Sequence, residues 1–206
     1  MSVDRPVRVL SVCGSLQARS SNRAALEVVH AAARAAGASL DEYDALERVP
    51  AFNPDRTDDA EEVVTDWRAR IAQADVVVIA SPEYAGSLVG MVKNALDWIV
   101  GSGELYAKPV GLISAGTSGG YHARRALVQT LTWQGAHVVA SLGIDGPRTK
   151  SDADGAFTDS ATIAELEEFT ALMLGVTRRE GDARLELVRG IVADAGVDAK
   201  LINPVV

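Results

Sequence analysis

The sequence predicts a doubly wound α/β domain, a five-stranded parallel sheet with helices on both faces and a helical arm at its C-terminal end. Three observations carry that reading. Short apolar, β-branched runs alternate with helix-length amphipathic segments along most of the chain. One run, Val76-Val77-Val78-Ile79, is apolar at every position, as a strand covered on both faces must be. The 206 residues, 48% of them hydrophobic, suffice to bury one sizeable core.

The elements follow in order. Residues 7–12 are the first strand, and residues 22–36 a helix stopped by Gly37. Ser39–Tyr43 is a short second strand edged by acidic residues, and residues 49–54 form a loop with two prolines. Residues 58–74 fit a helix, with Thr57 or Asp58 as cap and Val63, Val64, Trp67 and Ile71 on one face. Residues 75–80 are the central strand. Residues 91–100 form a helix closed by Gly101, 109–114 a strand, 121–134 a helix closed by Gly135, and 136–140 the last strand. A further helix lies within 157–175, starting near Thr158 or Asp159. The arm begins at the polar hinge Arg178-Arg179-Glu180-Gly181-Asp182. It continues as an amphipathic segment, 183–195, and ends in the apolar tail 201–206. We expect 1–177 to be one domain. Apolar surface on the arm must be covered, and the expectation is that a partner subunit covers it.

The bulk numbers exclude several classes. Net charge is −8 and there is no Lys/Arg run, which argues against a nucleic-acid partner. The acid at 41–47, 55–62 and 165–168 reads as solvated surface. No apolar run spans a membrane, and the N-terminal residues show no signal-peptide core. The single cysteine, Cys13, rules out an internal disulfide and a cysteine-based metal site, and three scattered histidines make no metal cluster. A cytoplasmic protein is expected. Cys13 reads as a small buried residue rather than a reactive thiol.

Three loops that follow strands look specialised. The first, Gly14-Ser15-Leu16-Gln17-Ala18-Arg19-Ser20-Ser21-Asn22, leads from a strand into a helix. Its peptide N–H groups and the helix dipole favour an anion, so it reads as a phosphate cradle; the plainer alternative is a βα loop with Ser20 or Ser21 as N-cap. The second runs from Ser81 to Gly90, with Pro82, Gly86 and Gly90 shaping a backbone along which a flat heteroaromatic ring can lie. The third, Ser114-Ala115-Gly116-Thr117-Ser118-Gly119-Gly120, suits something flat or anionic. It also matches Gly-x-Ser-x-Gly, but no acid separates Ser118 from either later histidine, His122 or His137, which argues against a hydrolase triad. P-loop and Rossmann dinucleotide fingerprints are absent.

Together the three loops resemble the NAD(P)H-dependent FMN reductase family of flavodoxin-like proteins, which includes quinone, azo and chromate reductases. The family's first motif, Gly-Ser-x-Arg-x-x-Ser-x-Asn-x-x-Leu, is matched by Gly14, Ser15, Ser20, Asn22 and Leu26. Its second, Pro-Glu-Tyr-Asn-x-Ser-x-x-Gly-x-x-Lys-Asn-Ala-Leu-Asp-Trp, is matched by Pro82, Glu83, Tyr84, Ser87, Gly90 and the run from Lys93 to Trp98. Ser114, Gly119 and Gly120 match its third, glycine-rich loop.

The resemblance implies a flavodoxin-like sheet of strand order 2-1-3-4-5 and FMN as cofactor. Ser15, Ser20, Asn22 and their neighbours Gln17, Arg19 and Ser21 would hold the phosphate. Pro82, Glu83, Tyr84, Ala85 and Gly86 would line the ring, mostly through main chain. Ser114, Gly116, Ser118, Gly119 and Gly120 would close its other edge. It further implies NADPH or NADH as co-substrate, a quinone or similar small-molecule acceptor, ping-pong turnover, and a homodimer or homotetramer with the helix after the second loop in the interface. No catalytic side chain is implied; Tyr84 and His122 are possible substrate contacts. Arg124 and Arg125 are either plain surface arginines or attractors of a nicotinamide phosphate. Two residues depart from the motifs: Gln17 stands where the family has Arg, and Ala85 where it has Asn. Arg19 or Arg23 would then supply the missing charge. Two other readings stay open: a flavin-dependent dehydrogenase of a small metabolite, and an electron carrier or flavin-free binding module on the same fold.

Overall fold

The computed structural model describes residues 5–57, 60–179 and 181–202. In chain order the elements are β1 (Arg8–Cys13), α1 (Ser21–Ala35), β2 (Ser39–Tyr43), α2 (Glu62–Gln73), β3 (Val76–Ala80), β4 (Glu83–Tyr84), β5 (Ser87–Leu88), α3 (Gly90–Asp97), β6 (Pro109–Gly116), α4 (Tyr121–Trp133), β7 (His137–Asp145), α5 (Ser160–Gly175) and α6 (Gly181–Asp194). Five strands form one parallel sheet of order β2-β1-β3-β6-β7. With the small β4–β5 hairpin set aside, that is the expected 2-1-3-4-5.

The central strand β3 is buried at all five positions. Helices α1 and α5 lie together on one face. Gly111 of β6 leaves them room there: a Cβ would fall 2.6 Å from both Met173 Sδ and Phe169 Cζ. On the other face α2, α3 and α4 are joined by Trp67 Nε1, which donates to the Ala95 carbonyl at 2.9 Å, and by Gln134 Nε2, which donates to the Leu96 carbonyl at 2.8 Å. The motif run Lys93 to Trp98 has a structural use. Asn94 and Trp98 both donate to the Pro50 carbonyl at 2.8 Å, and Asn94 Oδ1 accepts from Phe52 N at 2.8 Å. The two-proline loop is thereby fastened to α3.

Several expectations need correction. The second loop holds a short antiparallel hairpin, β4–β5, that no apolar period announces. β6 and β7 run to Gly116 and Asp145, beyond the apolar stretches that marked them, because pairing between the two continues through small and polar residues such as Ser114, Ser141 and Gly143. α2 begins at Glu62, and Thr57 follows a separate 3₁₀ turn, Pro54–Arg56; Asp58 lies outside the described residues. The arm does not wait for a partner. Val188 and Val192 of α6 are fully buried against the chain's own β7 and α4, and Arg125 Nε donates to the Ala195 carbonyl at 2.9 Å. Glu180 and residues 203–206 lie outside the described residues.

Candidate functional site

The crossovers of a parallel sheet bring successive βα loops to its carboxyl edge. Here the first, second and third loops leave β1, β3 and β6 there side by side. Gly14 N donates to the Ala80 carbonyl at 2.7 Å, and Ser81 N to the Ile113 carbonyl at 2.9 Å. Gly14 is needed for the approach: a Cβ would meet Val92 Cγ2 at 2.7 Å and Ser81 Oγ at 2.9 Å.

In the first loop Ser20 is the N-cap of α1, its hydroxyl accepting from Asn22 N and Arg23 N. Ser15 Oγ accepts from Gln17 N at 3.4 Å. The peptide N–H groups of Ser15, Leu16, Ala18, Arg19, Ser20 and Ser21 meet no acceptor among the described residues. A run of unanswered N–H groups leading into a helix N-terminus is the donor set of an anion site. Of the nearby cations, Arg23 is paired with Glu42 at 2.8 Å, whereas exposed Arg19 has no ion pair among the described residues. Gln17 is exposed.

The Asn22 side chain joins two of the loops. It is buried, with Oδ1 accepting from Ala115 N at 2.9 Å and Nδ2 donating to the Ala115 carbonyl at 3.1 Å. Both ends of the amide are therefore committed to the third loop.

In the second loop Pro82 is buried and the chain turns at Ala85 and Gly86, with φ 51° and 69°. Two left-handed residues between paired strands make the turn that suits a two-residue hairpin. Tyr84, at the turn, is 59% exposed. The Glu83 carboxylate reaches across to the start of α4, just past the third loop, where Oε2 accepts from His122 N at 2.7 Å and Ala123 N at 3.1 Å. These are first-turn amides of α4, whose own N-cap, Gly120, has no side chain to cap them.

In the third loop Gly120 adopts φ 59° and lies so close to Ser114 that a Cβ would fall 1.8 Å from Ser114 Oγ. Ser114 Oγ is itself a buried hydroxyl with no partner among the described residues. Arg124 braces the loop, donating through Nε to the Gly119 carbonyl and through Nη1 to Ser141 Oγ, each at 3.0 Å. Burial holds its guanidinium below the usual range, with Glu83 acting the other way. Both Arg124 and Arg125 thus have partners within the chain. Ser118 has no hydrogen-bond partner among the described residues, so no triad forms around it. Exposed His122 packs edge-on against Tyr121, ring centroids 5.3 Å apart. Cys13 is buried at the end of β1, and burial pushes its thiol up, against a weaker lowering by its bond to the Ser15 carbonyl.

The residues fit a phosphorylated flavin where the main chain does the holding. The first loop offers donors for a dianion, and the third offers an unpartnered hydroxyl beneath a glycine-only turn. A groove of about 630 Å³ also starts at Ala18 and Arg19, but it runs along α1 toward Phe157 and Ile163 and reaches neither the second nor the third loop.

The description "NADPH-dependent FMN reductase" belongs to the family model that matches residues 7–145. An NAD(P)H:quinone oxidoreductase from Solanum tuberosum is 30% identical over 175 residues, covering 81% of this chain and 90% of that protein. An NAD(P)H-dependent FMN reductase of Pseudomonas aeruginosa is 31% identical over 183 residues, covering 85% and 98%. Among solved structures, the flavoenzyme NAD(P)H:(acceptor) oxidoreductase of Paracoccus denitrificans superposes with a TM-score of 0.71 at 27% identity, over 84% of this chain and 97% of that one.

Proposed function

Because the chain belongs to the NADPH-dependent FMN reductase family, we propose that it is an FMN-dependent NAD(P)H oxidoreductase whose acceptor is a quinone or a similarly electron-poor aromatic. The observation that carries this is the set of N–H groups, all those from Ser15 to Ser21 except Gln17, that meet no acceptor among the described residues at the mouth of α1, beside two further loops fastened to it. When bound, FMN supplies the two-electron chemistry that no side chain here can.

The chain's own residues bind and orient. Backbone amides of Ser15, Arg19, Ser20 and Ser21 would hold the phosphate, and Arg19 would stand near it as the cation that Gln17 no longer supplies. Pro82, Glu83, Tyr84, Ala85 and Gly86 would line the ring, and Ser114, Gly116, Ser118, Gly119 and Gly120 would close its far edge. Exposed Tyr84 and His122 flank the place where an acceptor arrives.

The same reading takes 1–177 as the flavin domain, with 178–206 as its arm. It makes the protein a cytoplasmic homodimer or homotetramer. Exposed Val100 and Tyr106, beyond the end of α3, and Trp133, the last residue of α4, support an apolar contact surface there. No helix among the described residues is long and apolar enough to cross a membrane.

The test is an absorption spectrum. Purified protein incubated with FMN and desalted is expected to retain flavin absorbance, which bleaches without air on adding NAD(P)H and returns on adding a quinone. Protein that stays colourless after FMN overturns the reading, and bleaching by an organic reductant but not by NAD(P)H would mark a dehydrogenase instead.

A further inference from the structure

We propose that Asn22 is a positioning residue, a clasp that sets the spacing between the first and third loops, and not a ligand of the phosphate. The inference rests on the flavin reading above.

The geometry has a specific origin. β3 and β6 pair in parallel up to Ala80 and Ile113, and Ser81 N makes the next bond, to the Ile113 carbonyl. Then β3 leaves the sheet at Pro82, which has no N–H to give. In a strand, alternate residues present their N–H and C=O groups to the same neighbour. Two residues beyond Ile113, the N–H and C=O of Ala115 therefore face the space that β3 has vacated. The Asn22 carboxamide fills that space, accepting from the one group and donating to the other. A side-chain amide has the donor and acceptor of a peptide group, so it continues the ladder for one more step.

Asn22 is also the second residue of α1, so the clasp fixes the helix N-terminus against the end of β6. The donors of the first loop and the glycine turn of the third are thereby held at one separation. A ligand that touches both loops needs that separation, whether or not it carries a phosphate.

The test uses the whole chain and two probes, FMN and riboflavin, which differ only in the phosphate. Asn22→Leu removes both bonds without adding charge and leaves the Ala115 N–H and C=O unanswered. It is expected to weaken both flavins about tenfold or more, and by the same factor. Asn22→Asp restores the bonding pattern only when protonated, since a carboxylic acid can both donate and accept. Its riboflavin affinity is expected to rise as the pH falls from 8 toward 5.5, while wild type changes little. Burial favours the protonated form. The charged neighbours are Arg19 and Arg23 on the same loop and helix, the latter paired with Glu42. The third loop, Ser114 to Gly120, carries no ionisable side chain.

Loss of FMN binding with riboflavin binding intact would make Asn22 a phosphate ligand and overturn the clasp. So would unchanged affinity for both. If wild type binds neither flavin, the functional reading fails. Amide exchange in the flavin-free protein then decides the clasp alone: faster exchange at Ala115 in Asn22→Leu supports it, and unchanged exchange overturns it.

Discussion

Ala85 is the residue whose replacement tests the geometry most directly. It sits at φ 51°, left-handed, and is exposed, so it buys no packing for its strain. An L residue with a Cβ in that region costs about 1–2 kcal/mol. Asparagine tolerates it through local hydrogen bonds, and Asn-Gly is the preferred pair for this turn. Ala85→Asn should therefore recover about half of the cost, roughly 0.5–1 kcal/mol. Ala85→Gly should recover the whole strain, less about 0.4–1 kcal/mol of added unfolded-state entropy, for a similar net gain. In a chain of this size that is roughly 1–4 °C in Tm. Thermal melts and urea titrations of the flavin-free protein measure it without reference to function. Should both variants melt below wild type, the turn is not strained at Ala85 and the account of the hairpin fails.

Two further outcomes follow from side-chain contacts. Glu83→Ala should cost about 1–2 kcal/mol by leaving the first α4 amides uncapped. Urea titration would show it, with Glu83→Gln losing less because an amide oxygen still accepts. His30 is buried with Nε2 2.8 Å from Ser11 Oγ, and burial pushes its imidazole down, against Glu42 and Glu27, which raise it, while Arg34 and Arg23 lower it further. A base with a depressed folded pKa leaves the unfolded chain holding more protons below about pH 6.5. Its contribution to stability is thus full above that pH and declines as the pH falls through the window down to the folded pKa. Urea midpoints should drop on acidification below about 6.5, and His30→Gln should flatten that part of the profile; an unchanged slope would count against the assignment.

Much of this was legible in the sequence, and the rest was hidden for physical reasons. The strand order followed from alternation and resemblance, because apolar period reports burial and burial defines this sheet. The ends of β6 and β7 were read short because serine and glycine interrupt the apolar period there, although Ala115 and Ile144 beyond them pair and are still buried. The β4–β5 hairpin was missed because strands of two residues have no period, and because its turn carries alanine where asparagine would have signalled it. The arm was expected on a partner because an amphipathic helix announces only that its apolar face is covered, not by what; here β7 and α4 cover it. The roles of Asn22 and Glu83 join residues 93 and 39 positions apart, a distance at which no local pattern operates. One signal was available for Glu83: Gly120 opens α4 without a capping side chain, so those amides needed an acceptor from elsewhere.

The two departures from the family motifs gain sense from the same distinction. Asn22, Glu83, Asn94 and Trp98 match the motifs, and each spends its polar atoms on the backbone of another segment. Gln17 and Ala85 do not match, and both are exposed positions whose side chains join no such contact. A site whose donors are peptide groups depends first on the separations between its loops, since a backbone N–H is present whatever side chain follows it. Replacing a residue that sets those separations moves several donors at once. Replacing Gln17 or Ala85 changes one charge or one turn and leaves the donor array in place. The residues that hold the frame are thus under tighter physical constraint than Gln17 and Ala85, and the departures fall where that constraint is weakest.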